Sequence, residues 1–303
     1  MAFAAFGSSA PVAKGQTKSG AVVLALLLPG LLYLALFFAI PLVSLVITSL
    51  SVPDGSGVGG RFVPGVEFGN YVNVLGKYMP QILRSFGYAL VATIIALMIS
   101  YPLAYFIGVK LRSRPMIQRL TLTLVIAPFF ISFLLRTIAW KQLLADHTPL
   151  MEWAHSVGIL APGTSFIGSD SSVVFGLVYN FIPFMTLPLY TALERLDLRF
   201  LEAGSDLYAS PSKVFRKVTL PLSMPGIISG TLLTFIPIAG DYVNASRDFL
   251  GSSKTSMIGT MVDADFLVTR NYPAAASMSV LLMGIILVLV TLYVRRSGTE
   301  DLL

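Results

Sequence analysis

The sequence predicts an all-α membrane protein with six transmembrane helices, on three observations. Hydrophobic residues make up 55% of the 303 and charged residues only 12%, where a soluble domain carries roughly a quarter charged residues. Mean hydropathy is +0.79. Six apolar runs approach or exceed the length of about 20 residues that a helix needs to cross the hydrocarbon, where each backbone polar group must be satisfied within its own segment. These runs lie near 21–49, 82–108, 117–139, 173–193, 224–245 and 274–294.

Taken in order, residues 1–20 are Ser/Gly-rich, hold Lys14 and Lys18 and no acid, and read as a flexible cytoplasmic tail. The apolar run behind them is too long for a signal-peptide core of about 7 to 15 residues, so it is expected to stay as an anchor. Residues 21–79 then form the first helix and an outer loop. Residues 80–296 form a core of five helices that includes a polar loop at 196–223, and 297–303 form a second cytoplasmic tail. Prolines inside the runs, at Pro29, Pro41, Pro102, Pro128, Pro183, Pro188 and Pro237, each remove a helix hydrogen bond and invite a kink, although membrane helices tolerate them.

Lys and Arg cluster in alternate loops: Lys14 and Lys18; then Lys110, Arg112, Arg114 and Arg119; then Arg195, Arg199, Lys213, Arg216 and Lys217; finally Arg295 and Arg296. By the positive-inside rule both termini and the 196–223 loop are cytoplasmic. The pI near 9.5 therefore reflects topology and predicts no nucleic-acid partner. With no cysteine in the chain, disulfides and thiolate metal sites are excluded.

In the 196–223 loop, Phe200, Ala203, Gly204, Leu207 and Tyr208 recur at helical spacing opposite Arg199, Glu202 and Asp206. A second short helix follows, with Ser210 as N-cap, Pro211 at its first position and an apolar ridge of Pro211, Val214, Phe215 and Val218. Helices of this kind can lie on lipid headgroups, but those usually carry a Lys-rich polar face, and this one is mixed in sign. A DNA-reading helix-turn-helix is disfavoured because the loop, with Glu194 and Arg195 just before it, sets five cations against four anions. The third reading is a knob laid into a groove on a soluble partner.

At these residues the chain resembles the permeases of ATP-binding-cassette (ABC) importers. Their loop signature runs E-A-A-x-x-x-G, nine residues, then I-x-L-P, and Glu202, Ala203, Val218, Leu220 and Pro221 match it in spacing. Gly204 replaces the second Ala, a change that preserves close approach. Tyr208 stands where Gly is usual, so the turn between the two helices is expected to shift to Ala209 and Ser210. The blocks LPLSMPGIISGTLLTFIPIAGDYV, GTMVDADFL and SFLLRTIAW are similar to the spermidine/putrescine branch.

The resemblance implies a type I importer permease bundle (MetI-like) with cytoplasmic coupling helices that contact an ATPase through Glu202, Ala203, Gly204, Leu207, Tyr208, Val218, Leu220 and Pro221. It also implies partners: ABC ATPase subunits carrying ATP and Mg, a second related permease chain and an extracytoplasmic solute-binding protein, all within membrane lipid. No G-x-x-x-x-G-K-[ST] loop is present, since neither Gly76-Lys77-Tyr78 nor Thr17-Lys18-Ser19 supplies it. The chain is thus expected to be no enzyme and to bind no cofactor itself.

For a polyamine, carboxylates with aromatic faces would form a suitable mouth through ion pairing and cation–π attraction. Asp241 and Tyr242, near the outer end of the fifth run, and Asp263 and Asp265 in the loop beyond are the candidates, with Trp140 as a further aromatic face. The alternative is a solvated loop in which Asp241 satisfies a helix end. Arg136 is expected to snorkel to the interface beside Trp140 and Lys141. His147 and His155 sit among scattered carboxylates and make a poor metal site. The reading is a polyamine permease. Its rivals are an importer subunit for another small solute, such as ferric ion, thiamine or an aminophosphonate, and an ion-coupled secondary transporter, which would need intramembrane ionisable residues.

Overall fold

In the computed structural model, residues 20–55, 61–161 and 163–296 are described. The tails expected at 1–20 and 297–303, with Lys14 and Lys18, lie outside them apart from Gly20, as does the side chain of Arg296. The chain falls into two compact units, 1–47 and 48–303. In the first, α1 (Gly20–Leu34), a π-helical turn (Ala35–Ala39) and most of α2 (Ile40–Ser49) form an apolar helix interrupted only in its hydrogen-bond register, and no described side chain up to residue 47 is buried.

The second unit is built on α3 (Gly69–Tyr105), which continues through a π turn to Lys110. It begins well before the expected start near 82, so the boundary expected at 79 falls inside it. Pro80 does not stop the helix, and polar contacts hold its first turns. The Asn70 amide donates to the Ser49 and Ser51 carbonyls at 3.0 and 3.1 Å, and the Glu67 carboxylate accepts from Gly69 N at 2.8 Å. A short antiparallel pair, β1 (Val52–Pro53) with β2 (Phe62–Val63), precedes it.

Beyond α3 the chain forms α4 (Pro115–Ile126), a 3-10 turn (Ala127–Phe130), α5 (Phe133–Leu143), α6 (Pro149–Ser156) and α7 (Asp170–Glu194). The third run is not one straight span, because α5 leaves the axis of α4 by 93°. Pro128 and the extended backbone of Ile131 interrupt the helix there. The stretch after α7 holds α8 (Arg199–Asp206), α9 (Pro211–Val214), a π turn (Phe215–Thr219) and α10 (Leu220–Leu222). The fifth span, α11 (Met224–Ala239), departs from this direction by 64°. Last come α12 (Ile258–Asp263), a π turn (Ala264–Val268) and α13 (Tyr272–Arg296). Among the described residues, four stretches are long and apolar enough to cross a membrane, and up to six are if each bent pair counts as one span.

The core sits between α3, α7 and α11. Small residues of α3, Ala89, Ala92 and Ala96, are fully covered against Val173, Leu177 and Met185 of α7. On α11, Gly226 and Gly230 let the backbones meet: an added Cβ would stand 2.6 Å from Ala192 Cβ and 2.9 Å from Met185 Sδ respectively. Because lipid is as apolar as leucine, such close van der Waals contact supplies helix association that water-driven burial cannot.

Candidate coupling surface and outer site

The candidate coupling stretch forms two short helices held together from within. The Asp197 carboxylate accepts from Arg199 N at 3.0 Å and starts α8. At its other end the Ala209 amide reaches back to the Gly204 carbonyl at 3.1 Å, a Schellman closure with Tyr208 in the left-handed position, φ 54°. The turn therefore stays at Tyr208 and does not shift to Ala209 and Ser210. The hydrogen bond, and the fit of Gly204 against Val214, where an added Cβ would meet Cγ2 at 3.0 Å, outweigh the left-handed cost of a non-glycine residue.

The predicted ridge divides. Gly204 and Val214 face each other, whereas Phe200, Ala203, Leu207 and Tyr208 are exposed, Leu207 to 81% and Tyr208 to 99%. Glu202 is exposed beside Ala203. On the membrane side, Phe215 sets its ring edge-on to Tyr101 and Tyr105, Val218 and Leu220 are half-buried, and Pro221 is exposed. Arg112 of the loop between α3 and α4 donates to the Leu196 carbonyl at 2.9 Å, and Tyr190 donates to Glu194 at 2.6 Å. The first bond ties the start of the stretch to the loop between α3 and α4, and the second stays within the last turn of α7.

At the other end of the bundle, Asp241 lies two residues past α11 and is 7% exposed. Its carboxylate accepts from Asn244 N at 2.8 Å and from Asn244 Nδ2 at 3.0 Å. Asn244 Oδ1 accepts from Asn180 Nδ2 at 3.2 Å, and Asn180 Nδ2 also reaches Thr137 Oγ1 at 3.3 Å. A carboxylate only accepts, so it fixes the orientation of each amide in turn. This chain ties α5, α7 and the loop after α11 together. Sequence reasoning missed Asn180 and Asn244; their polar side chains near the outer ends of apolar runs were the available signal.

Tyr242 is half exposed and, with Ser132, Phe133, Leu134, Pro237 and Asp241, lines an open pocket of about 440 Å³. A second pocket of about 440 Å³, with Thr191, Arg195, Pro225 and Ser229, opens at the first turns of α11. Between them Pro225, Ser229, Leu233 and Pro237 recur every fourth residue along one stripe of α11, exposed except for the half-buried Ser229.

The other expected pathway residues are placed differently. The segment around Asp263 and Asp265, expected as loop, is helical. Asp265 is buried and accepts from the Tyr78 hydroxyl at 2.8 Å and Thr269 Oγ1 at 3.1 Å, while Asp263 is half-buried. Trp140 is half-buried, edge-on to Phe175 and Tyr179. Arg136 does not snorkel: it is 7% exposed, with its guanidinium over the Phe133 ring at 5.7 Å. The 93° turn sets α5 across the direction of α4, and the fold covers the Arg136 side chain there.

Residues 100–297 match the model of the family described as binding-protein-dependent transport system inner membrane component. The chain is 34% identical over 266 residues to the spermidine/putrescine transport system permease protein PotB of Haemophilus influenzae, covering 88% of this chain and 90% of that one. It is 34% identical over 267 residues to PotB of Escherichia coli, covering 88% and 94%. Among solved structures, a bacterial ABC transporter involved in alginate import superposes with a TM-score of 0.66 at 15% identity, covering 92% of this chain and 96% of that one. The methionine transporter MetNI gives 0.57 at 18% identity, with 75% and 97% covered. The chain belongs to the inner-membrane components of binding-protein-dependent transport systems, the permease subunits of ABC importers.

Proposed function

We propose that this permease carries polyamines such as spermidine and putrescine across the inner membrane, driven by ATP hydrolysis on a separate ATPase chain. The observation that supports the substrate is the 34% identity to spermidine/putrescine permeases over most of both chains. The uncovered ridge of Phe200, Leu207 and Tyr208 beside Glu202 supports the drive, since a groove on the ATPase can take α8 as a helix-in-groove contact.

In this reading ATP and Mg bind the partner ATPase, both termini face the cytoplasm and an extracytoplasmic binding protein delivers the solute. A second permease chain faces the mostly exposed stripe of α11, so that the two chains enclose the path between them. Asp241 and Tyr242 stand at its outer end. Asp265 and Trp140 already have partners inside the fold and serve it instead. Uptake of labelled spermidine and putrescine by cells with and without this chain tests the substrate. Uptake that does not depend on the chain would redirect the search to the other small solutes that such subunits serve.

A further inference from the structure

Helix α6 connects α5 to α7 on the side of the membrane opposite the coupling helices, because α7 crosses between them. The Thr148 hydroxyl accepts from Met151 N at 3.4 Å and fixes its start. At 3.6 residues per turn, Leu150, Met151, Trp153, Ala154 and Val157 fall on one continuous side, with Glu152, His155 and Ser156 on the other. The chain covers only part of the apolar side. Met151 and Ala154 are buried, whereas Leu150 is 44%, Trp153 56% and Val157 58% exposed.

We propose that this exposed ridge is a membrane-interface anchor, seated among the lipid headgroups of the outer leaflet. Depth argues for lipid. Met151 packs in one cluster with Leu144, Leu250 and Phe175, and Phe175 stands five residues after the first residue of α7, about 7.5 Å along its axis at about 1.5 Å per residue. That matches the roughly 5–10 Å to which interfacial helices sink. Composition argues likewise: aliphatic residues flank an indole, whose amphipathic ring favours the headgroup level. The polar side, Glu152, His155 and Ser156, carries no Lys or Arg, so apolar area and the indole hold this helix and not the attraction to anionic lipid that a Lys-rich face supplies. By holding α6, the bilayer surface steadies the far end of α5 and, through Thr137 and Asn180, the loop that carries Asp241.

The chain holds two tryptophans, Trp140 and Trp153, and no cysteine, which makes the test direct. The full chain with Trp140→Phe is reconstituted into vesicles of phosphatidylethanolamine and phosphatidylglycerol that carry a spin-labelled phosphatidylcholine. Trp153 emission should be lost more to a label near the top of the acyl chain than to one near its end, and little to aqueous iodide. Val157→Cys and Glu152→Cys, each labelled with bimane in the chain that retains Trp140, repeat the measurement without depending on that substitution. Lipid label should quench the first and iodide the second. Iodide quenching at Trp153 and Val157 with no lipid quenching would overturn the proposal. So would the absence of lipid quenching combined with shielding from iodide by purified binding protein, which would assign the ridge to that protein.

Discussion

The hydroxyls of Tyr101 and Ser223 lie 2.8 Å apart, both buried, at the point where the coupling stretch turns through 64° into α11. Ser223 Oγ is also 3.0 Å from the Leu220 carbonyl. The arrangement that satisfies all three groups has Tyr101 donating to Ser223 and Ser223 donating to Leu220. The buried polar groups at this break in the helix thereby stay paired.

Tyr101→Phe should lower stability by about 1 kcal/mol, the usual net value of one hydrogen bond. Ser223→Ala removes both bonds and should cost more. The double variant should melt no lower than Ser223→Ala alone, because Tyr101 then has no partner to lose. Thermal unfolding in detergent measures this, and additive losses would contradict the shared bond.

Leu207→Asp should abolish copurification of the ATPase, since an unpaired charge in a docking groove costs several kcal/mol. Glu202→Ala should be milder, giving a complex that forms but links hydrolysis poorly to transport in vesicles. Neither residue lies in a span, so the yield of folded permease should hold for both. Full copurification and transport with Leu207→Asp would remove α8 from the coupling surface.

At Tyr208, replacement by glycine separates two roles. The left-handed backbone costs a side-chain-bearing residue roughly 1–2 kcal/mol, and the Tyr208 ring is almost wholly exposed. Tyr208→Gly should leave the melting temperature unchanged or raised while weakening ATPase binding. A lowered melting temperature would show that the ring supports the permease itself.

The Gly226 contact is intolerant of volume. Gly226→Val adds a Cβ that would stand 2.6 Å from Ala192 Cβ and 2.8 Å from the Pro188 carbonyl oxygen, and overpacking of this kind costs typically 1–3 kcal/mol. Folded yield should fall, as judged by size-exclusion chromatography. Gly284→Val, at an α13 glycine with open space around it, should leave the yield unchanged.

Asp241→Asn should reduce both folded yield and uptake. The substituted amide offers one acceptor oxygen where the carboxylate accepts on two, and it turns a donor toward Asn244, a loss of about 1–3 kcal/mol for a buried group left unsatisfied. Tyr242→Ala, on the exposed side of the same turn, should preserve yield, so reduced uptake there would report on the path alone. Unchanged uptake in both variants would move the path elsewhere.

Periodicity made the spans and α8 legible, because apolar composition and helical spacing survive in the linear chain. The 93° turn after Phe130 was not, since proline is tolerated in many membrane helices and the composition on both sides of the turn is equally apolar. Asp265 illustrates the same limit. Its carboxylate read as a free loop acid because its partner, Tyr78, lies 187 positions away. Tyr208 was misread for another reason: intrinsic preference argued against a left-handed tyrosine, while the closure onto Gly204 that overrides it depends on how α8 meets α9.

The abrupt end of the third span at Phe130 also sets the thickness of bilayer it can serve. Twelve α-helical and four 3-10 residues, at about 1.5 and 2.0 Å each, reach only about 26 Å, against a hydrocarbon core of about 30 Å. Where lipid meets α4, local thinning or snorkelling of flanking side chains takes up the difference, at a fraction of a kcal/mol per Å of mismatch. Long-chain lipids therefore work against this flank of the subunit, and short-chain lipids relieve it.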